Sequence, residues 1–218
     1  MKVNRFITNL FEELTYVAWN ERDGEALLID PGMMTDDERS KVADFIDDNH
    51  LDVRHILLTH GHLDHIAAAL WARERYGARI ISHPDDNFLL RLLPDQLAYF
   101  RVQINNCEVF TSDISIAEGD TLHFFGEPLR VVHTPGHTPG SVVFHAPDSG
   151  LAFTGDTLFA GSVGRTDLAG GDLNALLQIL RKIADTLPPE TTLLPGHGPH
   201  TTLERELSTN LYLKHALS

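Results

Sequence analysis

The chain has 218 residues, 42% of them apolar and 22% charged, the proportions of an ordinary soluble globular protein. Seventeen Lys and Arg against 31 Asp and Glu leave a formal charge of −14, which argues against nucleic-acid and membrane-surface partners. The single cysteine, Cys107, excludes an internal disulfide framework, while 13 histidines call for an explanation, because imidazole is both a metal ligand and a proton carrier.

Residues Met1 to Trp19 are interrupted by Asn9, Glu12 and Glu13 and do not read as a secretion signal. The expected location is cytoplasmic. In chain order, strands are expected at Val3–Ile7, Thr15–Trp19 and Ala26–Asp30, then a helix over Asp36–Asn49 with Val42, Phe45 and Ile46 inward. A strand at Val53–Leu58 leads to a helix from about Asp64 to Tyr76, stopped by Gly77. Strand Arg79–Ser82 and a short helix at Pro84–Leu93 follow, then strands at Thr121–Phe125, Leu129–Thr134, Ser141–His145 and Leu151–Thr154. From Leu173 the apolar residues Leu176, Leu177, Leu180, Ile183, Ala184 and Leu187 fall on one helical face, with Asp172 as N-cap and Pro188 as the stop. Strand Thr192–Leu194 and a helix at Leu203–Leu217 complete the chain. No Ser/Gly-rich linker divides it, so one mixed α/β domain over 1–218 is expected. A faint internal echo pairs LLIDPG at Leu27–Gly32 with LAFTGD at Leu151–Asp156, each a strand ending in an acid beside a small residue.

The run Thr59-His60-Gly61-His62-Leu63-Asp64-His65 stands after the apolar strand Ile56–Leu58, where a helix begins. A strand end and a first helical turn aim successive side chains differently from one small volume, so three imidazoles and a carboxylate there can serve two neighbouring ions. His137 sits in the Pro/Gly-rich turn Thr134–Gly140, Asp156 ends another strand in Phe153–Thr157, and His197 lies in Leu194–Pro199 after a third. Strand ends of an α/β domain converge on one sheet edge, where ligand sites lie. Imidazole and carboxylate donors without thiolate suit zinc, iron or manganese. A water bound to such ions has its pKa lowered to about 7, giving hydroxide that attacks an electrophilic carbonyl without a Ser, Cys or Thr nucleophile.

His60-x-His62-x-Asp64-His65, followed by His137, Asp156 and His197, resembles the metallo-β-lactamase superfamily over essentially the whole chain, and its glyoxalase II (hydroxyacylglutathione hydrolase) branch in particular. The resemblance implies a four-layer αββα sandwich of two mixed β-sheets flanked by helices. It implies one metal on His60, His62 and His137, a second on Asp64, His65 and His197, and Asp156 bridging them, with Asp64 and Asp156 as the carboxylates of catalysis. The implied cofactors are two divalent ions, zinc first, with iron or manganese as alternatives. A metal-bridging hydroxide would cleave a thioester such as an S-2-hydroxyacyl glutathione. In the best-known β-lactamase subclass the position of Asp156 is a cysteine, so a thioester is favoured over a β-lactam.

Asp30 matches the family's acidic residue behind a ligating histidine, and Asp30→Ala is expected to leave the fold largely intact while weakening metal retention. The segment Gly155–Asp167 resembles the branch's GDTLF and Gly-x-Gly-Arg pattern; Arg165 is read as holding that turn through Asp167 or a carbonyl, with substrate contact as the alternative, and Phe159 as a pocket wall or core aromatic. Only 21 residues follow His197, with Arg205 and Lys214 the basic ones, so the chain resembles compact members lacking the helical region that grips glutathione. A mononuclear non-haem iron persulfide dioxygenase is the rival enzyme and a non-catalytic metal-binding protein the rival of another class. The expected partner is a small-molecule thioester, with no nucleic acid and no membrane, and a monomeric or homodimeric state.

Overall fold

In the computed structural model, which describes residues 1–105 and 107–218, backbone pairing follows the apolar runs closely. The chain divides into two compact units, Met1–Ser115 and Ile116–Ser218. The first contains β1 (Lys2–Thr8), β2 (Glu13–Trp19), β3 (Glu25–Ile29), α1 (Asp36–Asp48), β4 (Asp52–Leu57), α2 (Leu63–Ile66), α3 (Ala69–Tyr76), β5 (Arg79–Ser82), α4 (Asn87–Arg91), α5 (Leu93–Phe100) and β6 (Ile114–Ser115). Its six strands pair in chain order, antiparallel from β1 to β3 and parallel from β3 to β6. Val17, Leu28, Val53, Ile56 and Ile80 from the sheet are buried with Val42 and Ile46 of α1 and Ala69 and Ala72 of α3. This is the core that the period-3.6 and strand patterns require.

The second unit contains β7 (Thr121–Phe124), β8 (Glu127–His133), β9 (Val142–Ala146), β10 (Leu151–Gly155), α6 (Leu173–Thr186), β11 (Thr192–Pro195), β12 (Thr201–Thr202), α7 (Leu203–Thr209) and α8 (Leu211–Leu217). Its sheet runs β12-β11-β10-β9-β8-β7 and is also mixed, parallel only between β10 and β11. Leu180 and Ile183 of α6 and Leu213 and Ala216 of α8 are buried with Val143, Ala152 and Leu193 of the sheet. Asp172 caps α6 as its sequence position implies, its carboxylate accepting from the N–H groups of Asn174 and Ala175. The internal echo has a topological counterpart: β3 and β10 each pair antiparallel with the preceding strand and parallel with the following one, and each is followed by an acid, Asp30 and Asp156.

Three expectations require correction. The helix expected from Asp64 to Tyr76 is broken into α2 and α3 because the hydrogen bond that would join them has lost both partners. The Ala68 N–H donates to the Pro31 carbonyl at 2.8 Å instead, and the Asp64 carbonyl accepts from Asn9 Nδ2 at 3.0 Å. The segment expected as one helix at Pro84–Leu93 is a 3₁₀ turn, Pro84–Asp86, followed by two helices that extend to Phe100. The C-terminal helix is split at Asn210, whose side chain leaves the α7 register to cap α8 through the N–H groups of Tyr212 and Leu213. Strand β8 also starts earlier than expected and contains Pro128. The missing N–H is tolerated because β9 pairs with β8 only from Arg130 onward. The two-residue strands β6 and β12 are too short to give a periodic signal. No helix among the described residues is long and apolar enough to cross a membrane.

Asn9 holds the break between α2 and α3 in place. Its backbone is left-handed, with φ 52°, its N–H donates to Glu38 Oε1, and its amide donates to the carbonyls of Gly32 and Asp64. Glu38 in turn closes the capping box of α1 with Thr35. Asn9→Ala strands two carbonyls and puts a less tolerant residue at positive φ, so we expect a loss of about 2 kcal/mol in urea unfolding. An unchanged urea midpoint would refute this role.

Candidate metal centre

The first unit assembles His60, His62, Asp64 and His65 between the end of β4 and α2. Strand β4 ends at Leu57 and the chain then runs irregularly to Leu63, so His60 and His62 are presented from loop and Asp64 and His65 from the first turn of a helix. The His60 ring lies 4.9 Å from that of His62, at 90°, and 4.1 Å from that of His65. Oδ2 of Asp64 is 3.8 Å from Nε2 of His65. His60, His62 and His65 are buried, and the Asp64 carboxylate is partly open to solvent.

Asp30 lies behind this cluster at the end of β3. Its backbone is left-handed, with φ 47°, a conformation that Asp tolerates better than most residues. Oδ1 accepts the Thr59 N–H at 2.7 Å, and Oδ2 accepts the Thr59 hydroxyl at 2.6 Å and faces His65 Nδ1 at 3.0 Å. Donor atoms of Asp30, His60 and His65 lie within 4.8 Å of one another, the spacing of a ligand group. Asp30 is nonetheless better placed as a support, because both its oxygens are already engaged by protein donors. Asp30→Ala would strand the Thr59 and His65 donors in a buried place, so the expectation that the fold survives intact is revised towards a combined loss of stability and metal retention.

These contacts also settle which nitrogen carries the proton. The Thr59 hydroxyl gives its hydrogen to Asp30, so in its 3.0 Å contact with His60 Nδ1 it accepts from Nδ1–H. His65 Nδ1 faces a carboxylate, and His137 Nδ1 faces the Arg165 carbonyl at 2.7 Å. Neither partner can donate. In their neutral form the three imidazoles thus carry the proton on Nδ1 and the lone pair on Nε2, the arrangement that metal-ligating histidines take when a carboxylate or carbonyl orients them.

The second unit assembles His137, Asp156 and His197 from the turn after β8 and the loops after β10 and β11. Asp156 Oδ2 is 3.5 Å from His137 Nε2 and 3.6 Å from His197 Nε2. Both distances are longer than an ordinary N–H···O hydrogen bond, and in the neutral ring the His137 Nε2 lone pair facing a carboxylate oxygen is repulsive unless a cation lies between. They match the roughly 3.3 Å separating two ligands of a tetrahedral ion with bonds of about 2.0–2.1 Å. The donor set therefore fits divalent metal, the carboxylate shared between two imidazoles.

Arg165 holds its turn through a bidentate pair with Asp167, 2.7 and 2.8 Å, which lowers the Asp167 carboxyl to about 2. Its carbonyl reaches His137 Nδ1. A Cβ on Gly164 would lie 2.0 Å from the Asp156 carbonyl oxygen and 2.9 Å from His137 Nδ1, so the turn presses against both donors and admits no side chain there. Phe159 is partly exposed and sets its ring edge-on to His197 at 5.9 Å. Cys107 is partly buried against the first unit's core, and burial raises its thiol.

Sequence reasoning did not single out Thr59, Glu13 or Asn9. Thr59 directly precedes the first histidine, the position from which a hydroxyl reaches the next side chain, so local hydrogen-bonding logic could have found it. Glu13 is fully buried in β2, accepts from the hydroxyls of Thr8 and Thr15, and lies 3.9 Å from His65 Nδ1. Burial pushes its carboxyl well above the usual range, against the pull of His65. Nothing in a single Glu at a strand start announces this.

Residues 10–197 match the family model described as the metallo-beta-lactamase superfamily. The chain is 34% identical over 215 residues to a protein of Haemophilus influenzae named hydroxyacylglutathione hydrolase GloC, covering 98% of each. Among solved structures it is similar to TTHA1623 in a di-iron-bound form, at 35% identity and a TM-score of 0.83, covering 96% of this chain and 99% of that one. It is also similar to BLEG-1, titled a B3 metallo-beta-lactamase, at 31% identity and a TM-score of 0.87, covering 97% and 99%. Asp30→Asn should leave an acceptor for Thr59 but weaken the hold on His65, lowering zinc affinity about 10- to 100-fold in a chelator competition. Wild-type affinity in that variant would remove Asp30 from the site.

Proposed function

The chain belongs to the metallo-β-lactamase superfamily and is a metallohydrolase with a His-rich metal site, and on that footing we propose that it hydrolyses a thioester, most simply an S-2-hydroxyacyl derivative of glutathione or a related thiol. The donor set proposed is His60, His62 and His137 for one ion and Asp64, His65 and His197 for the other, with Asp156 between them. The observation that carries the reading is the carboxylate of Asp156, whose one oxygen stands at near-equal distance from two imidazole nitrogens. A shared carboxylate suits two ions, and no thiolate competes, since Cys107 lies in the irregular stretch before β6. The similarity to GloC of Haemophilus influenzae supports the choice of substrate class, and the di-iron form of TTHA1623 supports two ions and keeps iron beside zinc and manganese as the metal.

Bound divalent ions supply a nucleophilic water at neutral pH and polarise the carbonyl to be attacked. The protein's own contribution is orientation. Asp30, Thr59 and the Arg165 carbonyl fix the ring directions and proton positions of His65, His60 and His137. Asp64, Asp156 and His197 are partly exposed, so each can exchange a proton with solvent, whereas His60, His62, His65 and His137 are buried. Phe159 beside His197 offers an apolar wall to an acyl group.

Purified protein loaded with metal should hold two divalent ions per chain by elemental analysis and cleave small acyl thioesters. Chelation should abolish turnover and added metal restore it, with the far-ultraviolet circular dichroism preserved throughout. No turnover of any thioester by the two-metal protein would reject the proposal. Cleavage of a β-lactam instead would reassign the substrate, and persulfide-dependent oxygen consumption with one iron per chain would replace the reaction.

A further inference from the structure

The HGH core of the motif poses a mechanical problem. His60 and His62 are separated by one residue in an irregular stretch, and on an extended backbone side chains two apart are held by strand pairing, which is missing here. Gly61 satisfies its backbone groups with side chains from the helical segment Pro84–Phe100. Its N–H donates to Asp86 Oδ2 at 2.8 Å, and its carbonyl accepts from Gln96 Nε2 at 3.1 Å. Oε1 of the same Gln96 accepts the Leu63 N–H at 2.9 Å, and Nε2 also donates to the Leu89 carbonyl at 3.1 Å. One side-chain amide therefore spans His62 from both sides, as a paired strand would, while Asp86 holds the peptide next to His60.

The contact is tight. A Cβ on Gly61 would lie 2.8 Å from Leu89 Cβ and 3.3 Å from Asp86 Cβ, so the loop is pressed onto α4 and only glycine fits. Asp86, Leu89, Leu90 and Leu93 are buried, which anchors the segment. Neither Asp86 nor Gln96 belongs to the histidine motif.

We infer that Asp86 and Gln96 are positioning residues of the metal centre: together they fix the His60–Gly61–His62 backbone and hold the two imidazoles at their mutual 90° before metal arrives. The inference rests on the metal-centre reading above and is tested by metal binding alone. Zinc affinity is measured on the full chain by chelator competition, and cobalt(II) is used for the visible absorption spectrum. Gln96→Ala and Asp86→Ala should each weaken zinc binding about 10- to 100-fold and change the cobalt spectrum, and Asp86→Asn, which keeps an acceptor for the Gly61 N–H, should recover affinity to within a few-fold of wild type. Gln96→Glu keeps the acceptor for Leu63 and loses the donor to Gly61, so it decides the matter if the alanine variant does not fold. Ile183→Ala, a buried truncation in the core of the second unit, should lower the thermal midpoint and leave zinc affinity unchanged. Wild-type affinity and spectrum in Gln96→Glu and Asp86→Ala would overturn the inference, as would an equal loss of affinity in Ile183→Ala. Wild-type protein that takes up no divalent metal would instead overturn the metal-centre reading itself.

Discussion

The carboxylate of Asp30 is the constraint on which the first unit's donor cluster depends. From the end of β3 it takes the backbone N–H of Thr59, the hydroxyl of Thr59 and the Nδ1 face of His65. Because the hydroxyl is committed to Asp30, Thr59 can only accept from His60, and the proton positions of two imidazoles follow from one acid. Each link is a charge-assisted or fully buried hydrogen bond, so breaking one leaves an unsatisfied group behind. The second unit uses a different device for the same end, a main-chain carbonyl from the Arg165 turn oriented on His137.

The strain and crowding of this region have a consistent direction. In the first unit Asp30 and Asn9 both adopt left-handed backbone, and Gly61 sits where a methyl group would collide with a neighbour. Such features cost stability and persist only where the surroundings over-determine them. Here the surroundings are two sets of side-chain brackets, Asn9 with Glu38 holding the Asp64 carbonyl and Asp86 with Gln96 holding the Gly61 peptide groups. In the second unit Glu206 and Asn210 of α7 and its boundary hold the Phe159–Ser162 turn through the Gly161 N–H and the Phe159 and Ser162 carbonyls. The short C-terminal helices thus belong to the frame of the loop that carries Phe159.

Much of this was legible in the sequence, for physical reasons that also mark the limit. Strands such as Arg79–Ser82 and the amphipathic helix after Asp172 are local patterns, and they appear within a residue or two of their expected bounds. The ligand candidates are legible because His60, His62, Asp64 and His65 fall within six residues and His137, Asp156 and His197 each follow a further apolar run, a pattern local in sequence. The break between α2 and α3 was not legible, since it depends on Asn9 and Pro31, distant in sequence, diverting the two partners of one hydrogen bond. Asp86 and Gln96 were hidden for the same reason: an ordinary acid in a turn and an ordinary amide on a helix acquire a role only when the fold brings them to Gly61.

Before any ion binds, the neutral imidazoles of His60, His65 and His137 are set with the proton on Nδ1 and the lone pair on Nε2. Nitrogen-15 NMR of the histidine rings in metal-free protein near neutral pH measures this directly. His60, His65 and His137 should each show the Nδ1–H tautomer, with Nε2 in the range of an unprotonated ring nitrogen and changing on addition of zinc. Nε2–H tautomers, or rings exchanging between the two forms, would contradict it.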